Sequence, residues 1–147
     1  MPRQKTNIGD EFWLPLEDGS YSLGQIVEIR LAVLNSITCA FYDYRLAEPE
    51  PTDPTDFNLL SVQFVTPDLF RSGVWQRTGN FTIQLEDHLL PYRDTEAQGW
   101  IGAKVIGSGI IAKVLSAFYG LRNWHEMHDP DYYQNLLQPG VAPYAAA

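Results

Sequence analysis

Two histidines near the C-terminus form the pattern in this sequence that most resembles a metal site. His125 and His128 are three residues apart, and the carboxylates of Glu126, Asp129 and Asp131 lie beside them. On one helical turn, two imidazoles and neighbouring carboxylates could share a zinc ion. The segment precedes a predicted helix start, however, and the third histidine of the chain is distant in sequence. We therefore expect a polar connector between helices and no functional metal.

Motifs for nucleophilic catalysis or phosphate binding are missing from the sequence. There is no Gly-x-Ser-x-Gly. The stretch Gly107-Ser108-Gly109 precedes a predicted helix without the Lys that a phosphate loop needs, so we expect a turn there. The single cysteine, Cys39, lies in an apolar run and is predicted to be a buried thiol. Acidic pairs such as Glu86-Asp87 are typical of a solvated face. We expect a protein that is not an enzyme and has no cofactor.

The overall charge restricts the classes of partner. Eighteen acidic and ten basic side chains give a formal net charge of -8. Nucleic acids and anionic membranes attract Lys and Arg, so neither is an expected partner. The chain contains no signal peptide pattern and no run of about eighteen apolar residues. With 147 residues, the sequence predicts one soluble, cytoplasmic domain over 1–147.

Much of the acidity is concentrated in one proline-rich stretch, residues 47–58. Its four carboxylates alternate with three prolines and belong to Glu48, Glu50, Asp53 and Asp56. Such a composition neither builds a core nor donates ladder hydrogen bonds. The sequence therefore predicts an exposed acidic loop here.

The rest of the first two thirds is predicted to form strands and turns. Short runs rich in β-branched and aromatic residues predict strands at 12–16, 21–34, 37–44, 59–66, 74–77, 81–85 and 100–106. Asp18-Gly19 predicts a hairpin turn between the first two runs, Asn35-Ser36 a second turn, and Thr78-Gly79-Asn80 a turn before 81–85. Alternation along 21–34 predicts a core face and a face exposed to water.

Past Gly109 the hydrophobic period changes to that of a helix. Ile110, Val114 and Phe118 are among the residues at helical spacing, and Gly120 fits a C-cap. Asp129-Pro130 predicts a second helix start, with a buried face made of Tyr133, Leu136 and Leu137. The expected fold is mostly β (α+β), a strongly curved antiparallel sheet or small barrel with two short C-terminal helices.

The opening of the chain and three later stretches resemble a known family when they are taken in order. The opening has a Gly-Asp, an aromatic, a Pro, an Asp-Gly turn and an aromatic-x-x-Gly strand, and the later stretches are 41–43, 72–79 and 120–132. This order resembles the immunity protein 26 family of bacterial polymorphic toxin systems. The motif residues that carry the resemblance are Gly9, Asp10, Phe12, Pro15, Asp18, Gly19, Tyr21, Gly24, Trp75, Gly79 and Trp124.

The resemblance implies a small, mostly β protein that binds and neutralises a cognate toxin encoded beside it, without catalysis. The motif residues fall at predicted turns and core positions, so we expect them to determine the fold and not to bind the toxin. Many toxins of such systems act on nucleic acids and carry basic clefts. The acidic loop, with Glu48, Glu50, Asp53 and Asp56, is therefore the candidate toxin-binding surface. A solvated connector is the alternative interpretation of that loop.

Two other functions remain open on the sequence. A small β-barrel binding module for peptide or glycan would expose a cluster of its aromatic side chains. For the four tryptophans we expect packing in the core and at its rim instead. A metal-dependent hydrolase would bring His125 and His128 together with carboxylates in a pocket. The exposure of the tryptophans and the geometry of the histidine pair distinguish these hypotheses.

Overall fold

The structure is a computed structural model and describes residues 7–30, 36–85 and 105–144. Six strands and three helices form from these residues. In chain order they are β1 (Asp10–Pro15), β2 (Tyr21–Arg30), β3 (Ser36–Leu46), β4 (Leu59–Val65), α1 (Asp68–Arg71), β5 (Gln76–Asn80), β6 (Val105–Ile106), α2 (Ser108–Phe118) and α3 (Tyr132–Leu136). The rest of the predicted second strand, Asn35 and most of the predicted strand at 100–106 lie outside the described residues.

The strands form one sheet in the order β5-β1-β2-β3-β4-β6. Every pairing from β5 to β4 is antiparallel, and only the two-residue strand β6 runs parallel to its neighbour. Register shifts in the β1–β5, β2–β3 and β3–β4 pairs mark bulges, which bend a strand and increase its twist. The sheet is curved but, in the described part of the chain, β5 and β6 are its edges and do not pair to close a barrel. The predicted mostly β class with two C-terminal helices is confirmed.

The predicted hairpin between β1 and β2 is present. Pro15 at the end of β1 pairs with Tyr21 at the start of β2. Gly19 has a φ of +86°, a backbone conformation that residues with a side chain rarely adopt. The Asp18 carboxylate accepts a hydrogen bond from the Ser20 backbone N–H at 3.0 Å and so closes the turn. Turn chemistry visible in the sequence thus sets the register of the first strand pair.

Both faces of the sheet are buried, which the strand alternation did not predict. One face, the helix face, is covered by α2 and α3 and includes Phe12, Ile26 and Phe41. The opposite face, the loop face, carries Trp13, Leu23, Val27, Ala40, Tyr42, Val62 and Phe64, with Phe57, Ile83 and Leu85 packed over it. The prediction that one face of the second strand is exposed to water is therefore wrong at Ser22 and Gly24, which are buried. The reason is that β2 lies between β1 and β3 and has apolar cover on each side.

The helix face also determines where the C-terminal helices pack. Ile111, Val114 and Phe118 of α2 are buried in its cluster, as the helical spacing predicted, and Gly120 follows with a φ of +82°. Cys39 is fully buried on the same face, and burial raises the pKa of its thiol. The prediction of a buried thiol is confirmed.

The two helix starts differ from those predicted. Ser108 is the first residue of α2, so the predicted turn at Gly107-Ser108-Gly109 is wrong at its last two positions. The Ser108 hydroxyl donates to the Asp68 carboxylate at 2.8 Å and serves a structural contact. α3 begins at Tyr132 and not at Pro130. The Asp129 carboxylate accepts from Asp131 N–H at 2.9 Å in the turn before the helix.

The predicted strand pair at 74–77 and 81–85 is wrong. A single strand, β5, runs through the predicted turn at Thr78-Gly79-Asn80, and residues 81–85 form no strand. Gly79 pairs with Glu11 of β1 beside a register shift. A Cβ at Gly79 would lie 2.9 Å from the Phe81 ring, so the glycine is explained by close packing and not by a turn.

Candidate functional site

The acidic loop connects β3 to β4 and keeps its carboxylates in solvent. Glu48, Glu50, Asp53 and Asp56 lie on the surface, as predicted, and the loop contains no lysine or arginine. None of the ion pairs found within residues 7–30, 36–85 and 105–144 involves any of these four. With respect to the described residues, the loop therefore presents negative charge that no ion pair compensates.

Contacts with the sheet hold the first half of the acidic loop. The Trp13 indole N–H donates to the carbonyl oxygen of Glu50 at 2.9 Å. Asp53 accepts from the Thr55 backbone N–H at 3.0 Å and caps a short 3-10 turn, whose first residue, Pro54, is buried. The Asp53 carboxylate thus helps to build the loop. The side chains of Glu48, Glu50 and Asp56 are exposed on its surface.

The end of the acidic loop is held by aromatic stacking and by the sheet. The Phe57 ring stacks on Tyr44, with centroids 4.0 Å apart and 12° between the ring planes. The Asp43 backbone N–H donates to the Asn58 carbonyl oxygen at 2.8 Å. A loop held in this way loses less conformational entropy on binding than a free one. These contacts with the sheet give the loop a defined shape, in addition to the restriction that its prolines impose on the backbone.

A buried carboxylate belongs to the hydrogen-bond chain that holds the loop. Glu11 has no solvent exposure, and its Oε1 accepts from the Thr78 hydroxyl. Its Oε2 has no hydrogen-bond partner in the described part of the chain. Burial raises the pKa of Glu11 to about 7, although the bond from Thr78 lowers it. The Thr78 hydroxyl also accepts from the Trp13 indole at 3.1 Å, which connects Glu11 to the loop anchor.

Three of the motif residues meet in the core of the helix face. Phe12 and Trp75 are fully buried, and their rings stack at 5.3 Å with 6° between the planes. A Cβ on Gly24 would lie 2.4 Å from Phe12 Cζ, so glycine is required for the ring to cross β2. These contacts are those of fold determinants and offer no surface to a partner.

Asp10 organises the junction of β1 and β5. Its Oδ2 accepts from Arg77 at 2.7 Å and from the Asn7 backbone N–H at 2.9 Å. Its Oδ1 accepts from the Asn80 side chain at 2.9 Å. Gly9, directly before it, has a φ of +91°, which favours glycine. The Gly-Asp motif therefore joins β1 to its neighbour β5, the edge strand beside it.

The tryptophans offer little aromatic surface. Trp13 and Trp75 are fully buried, so the expected packing role is confirmed for these two. Trp124 is half-buried, and its ring packs against Tyr133 with centroids 5.6 Å apart. Trp100 lies outside the described residues. No tryptophan within the described ranges supplies the exposed platform that a glycan-binding module would need.

The two histidines of the metal hypothesis lie in an exposed connection between α2 and α3. His125 Nδ1 is 3.0 Å from the Pro130 carbonyl oxygen. The Glu126 carboxylate between His125 and His128 is held by Arg122 at 2.7 and 2.5 Å, and this guanidinium lowers the pKa of Glu126. Among the described residues, no three His, Cys, Asp or Glu side chains are grouped as metal ligands.

A cleft that the sequence patterns did not indicate lies where β3 ends. It has a volume of about 460 Å³ and is lined by Asp43, Tyr44, Arg45, Tyr119 and Tyr144. We call it the tyrosine cleft. The Tyr119 and Tyr144 rings lie nearly parallel, 5.7 Å apart. Both hydroxyls donate to the Asp43 carboxylate, at 3.3 and 2.6 Å.

Charges of both signs surround the tyrosine cleft. The Arg45 guanidinium lies 4.6 Å from the centroid of the Tyr119 ring and 3.6 Å from the Asp18 carboxylate. Burial and the nearby Asp43 carboxylate raise the pKa of Tyr119. A high tyrosine content was the only signal of the cleft in the sequence, because the lining residues come from β3, the end of α2 and the C-terminal segment.

Comparisons with known proteins identify the chain at the level of a family. None of the described helices is long and apolar enough to cross a membrane. No curated protein and no solved structure matches the chain. The family model described as Immunity protein 26 matches residues 7–99, more than half of the chain. The match spans the motif residues from Gly9 to Gly79 and ends before Trp124. The chain therefore belongs to the immunity protein 26 family.

Proposed function

We propose that this protein binds and neutralises a cognate toxin of a bacterial polymorphic toxin system, by stoichiometric association and without catalysis. The observation that carries the proposal is the family match over residues 7–99, since the family suggests a toxin-neutralising role. The side chains nearest to a catalytic pattern support a non-catalytic role, because they are engaged in the fold. Ser108 binds Asp68, and Glu126 binds Arg122.

The acidic loop is the proposed toxin-facing surface. Glu48, Glu50, Asp53 and Asp56 place negative charge, unpaired within the described residues, on a backbone that Trp13 and the stacked Phe57 hold in place. A toxin that acts on nucleic acid carries a basic cleft, and opposite fields accelerate encounter. With a net charge of -8, the whole molecule adds to that field. Neutralisation then follows because the bound loop blocks access to the cleft.

The proposal is tested with the C-terminal toxin domain encoded directly beside this gene. The toxin domain is expressed under an inducible promoter with and without this protein, and binding of the purified pair is measured by calorimetry. We expect growth to be rescued and a complex of fixed stoichiometry to form. Toxicity that persists with no measurable binding would contradict the proposed function.

The role of the acidic loop is tested separately by changing its four carboxylates to Asn or Gln together. We expect slower association with the toxin and a weaker dependence on salt. A matched pair of variants controls for net charge: E48Q/E50Q inside the loop and D129N/D131N outside it. If both pairs slow association equally, only the total charge matters and the loop is not the binding surface.

A further inference from the structure

We propose that the tyrosine cleft binds a basic side chain of the toxin and that this contact anchors the complex. The inference rests on the proposed function, because it names a second part of the same interface. The acidic loop supplies long-range attraction, whereas the cleft supplies a short-range contact between shaped surfaces. The loop should therefore affect the association rate, and the cleft should affect the dissociation rate.

The Asp43 carboxylate supplies negative charge for a basic side chain. Asp43 is half-buried and accepts hydrogen bonds from the hydroxyls of Tyr119 and Tyr144. Neither donor is charged, and no cation within the described ranges forms an ion pair with Asp43. The nearby guanidinium of Arg45 pairs with Asp18 instead. A carboxylate can accept about four hydrogen bonds, so Asp43 retains capacity for a guanidinium or ammonium group that enters the cleft.

Tyr144 is an exposed aromatic side chain that is held rigidly. Tyr144 is 66% exposed, more than either of the other two large exposed hydrophobic residues, Ile8 and Val74. Its backbone N–H nevertheless donates to the Phe118 carbonyl oxygen at 2.9 Å, its ring stacks on Tyr119, and its hydroxyl binds Asp43. Such a side chain has already lost its rotamer freedom, so binding costs little further entropy.

The side chains that line the cleft are of types that are common at protein interfaces. Tyrosine and arginine are enriched among the residues that dominate the energy of protein interfaces. The Tyr144 ring is exposed, and a planar guanidinium stacks favourably on an aromatic face. The Tyr119 ring already lies under Arg45, and Tyr44 stacks on Phe57. The cleft volume of about 460 Å³ accommodates a long side chain. The lining residues therefore suit an arginine or lysine of a partner surface.

The position of the cleft connects it to the acidic loop. Asp43 is hydrogen-bonded through its backbone N–H to Asn58, the last residue of the loop. Two further carboxylates, those of Glu17 and Asp18, lie in the neighbouring hairpin turn, where they contact Arg122 and Arg45. A basic toxin surface drawn by the loop thus meets the cleft at the same end of the sheet. A second copy of this chain, with its net charge of -8, is disfavoured as the occupant by like-charge repulsion.

The inference is tested by dissociation kinetics on the purified toxin domain, with the protein immobilised on a biosensor surface. Asp43→Asn removes the charge while its amide oxygen can still accept a tyrosine hydroxyl, and Tyr144→Ala removes one wall of the cleft. We expect each to weaken binding at least about tenfold, mainly through faster dissociation. Val74→Ala, at an exposed residue that does not line the cleft, should bind as the unsubstituted protein does.

Each outcome decides between the two proposals. If the unsubstituted protein binds and both cleft variants dissociate at its rate, the anchor is not in the cleft, although the proposed function stands. If the unsubstituted protein does not bind, the proposed function fails first. Thermal unfolding controls for folding: should Tyr144→Ala unfold early, the result for Asp43→Asn decides. If the Asp43→Asn variant still binds the toxin domain tightly, the inference is overturned.

Discussion

Replacing Glu11 with glutamine tests whether burial raises the pKa of this carboxyl group in the folded protein. Its pKa in the folded protein is raised from an ordinary value of 4.5 to about 7 by burial. Between these values the folded state binds a proton that the unfolded state has released, so stability falls as pH rises. The interval corresponds to about 3 kcal/mol, because each pKa unit is worth about 1.4 kcal/mol. Glutamine carries no charge and does not titrate.

The assay is urea unfolding of the wild-type protein and of Glu11→Gln at several pH values. From about pH 5.5 to about pH 8.5, the stability of the variant relative to wild type should rise by about 2 kcal/mol. This pH range lies above the pI of about 4.7. It therefore avoids the pH at which the net charge of the protein is smallest. Glu48→Gln, at an exposed carboxylate, controls for removal of an acidic charge. A difference between Glu11→Gln and wild type that stays constant with pH would refute the reasoning.

Three further substitutions probe the contacts that build the sheet and hold the acidic loop. Gly24→Ala places a methyl group against the Phe12 ring and should lower the free energy of unfolding by about 1 to 3 kcal/mol in chemical denaturation; no loss would mean that the ring can move aside. Asp10→Asn removes the charge partner of Arg77 and should cost about 3 kcal/mol, measured in the same way, whereas a cost below about 0.5 kcal/mol would be that of an exposed pair. Trp13→Phe removes the N–H that holds the acidic loop and should speed amide hydrogen exchange at residues 50–58 more than in β2 and β3; equal acceleration everywhere would indicate a global effect.

Local patterns in the sequence were enough to predict much of the fold. The hairpin at Asp18-Gly19 follows from turn chemistry, and α2 follows from apolar residues at helical spacing with Gly120 after its end. The exposure of the acidic loop follows from its prolines and carboxylates. The family follows from motif residues whose spacing is maintained because they occupy turns and close core contacts such as that of Gly24 with Phe12.

Features that depend on contacts between distant segments could not be predicted in this way. The alternation in β2 did not reveal a second buried face, because the apolar cover of each face comes from elsewhere in the chain. The break at Thr78-Gly79-Asn80 looked like a turn, yet pairing with β1 makes it a strand. The packing energy gained over many contacts outweighs the local preference of these three residues for a turn.

The sequence by itself determined the class of fold, the family and the presence of an exposed acidic segment, since composition, periodicity and motif order are local properties. Only the tertiary structure decided what holds that segment and what lies beside it. The Trp13 indole reaches across 37 positions to the Glu50 carbonyl, and Asp43 meets Tyr119 and Tyr144 across 76 and 101 positions. Such contacts form because burying each face of the sheet brings remote segments together, and no local pattern encodes which side chains then become neighbours.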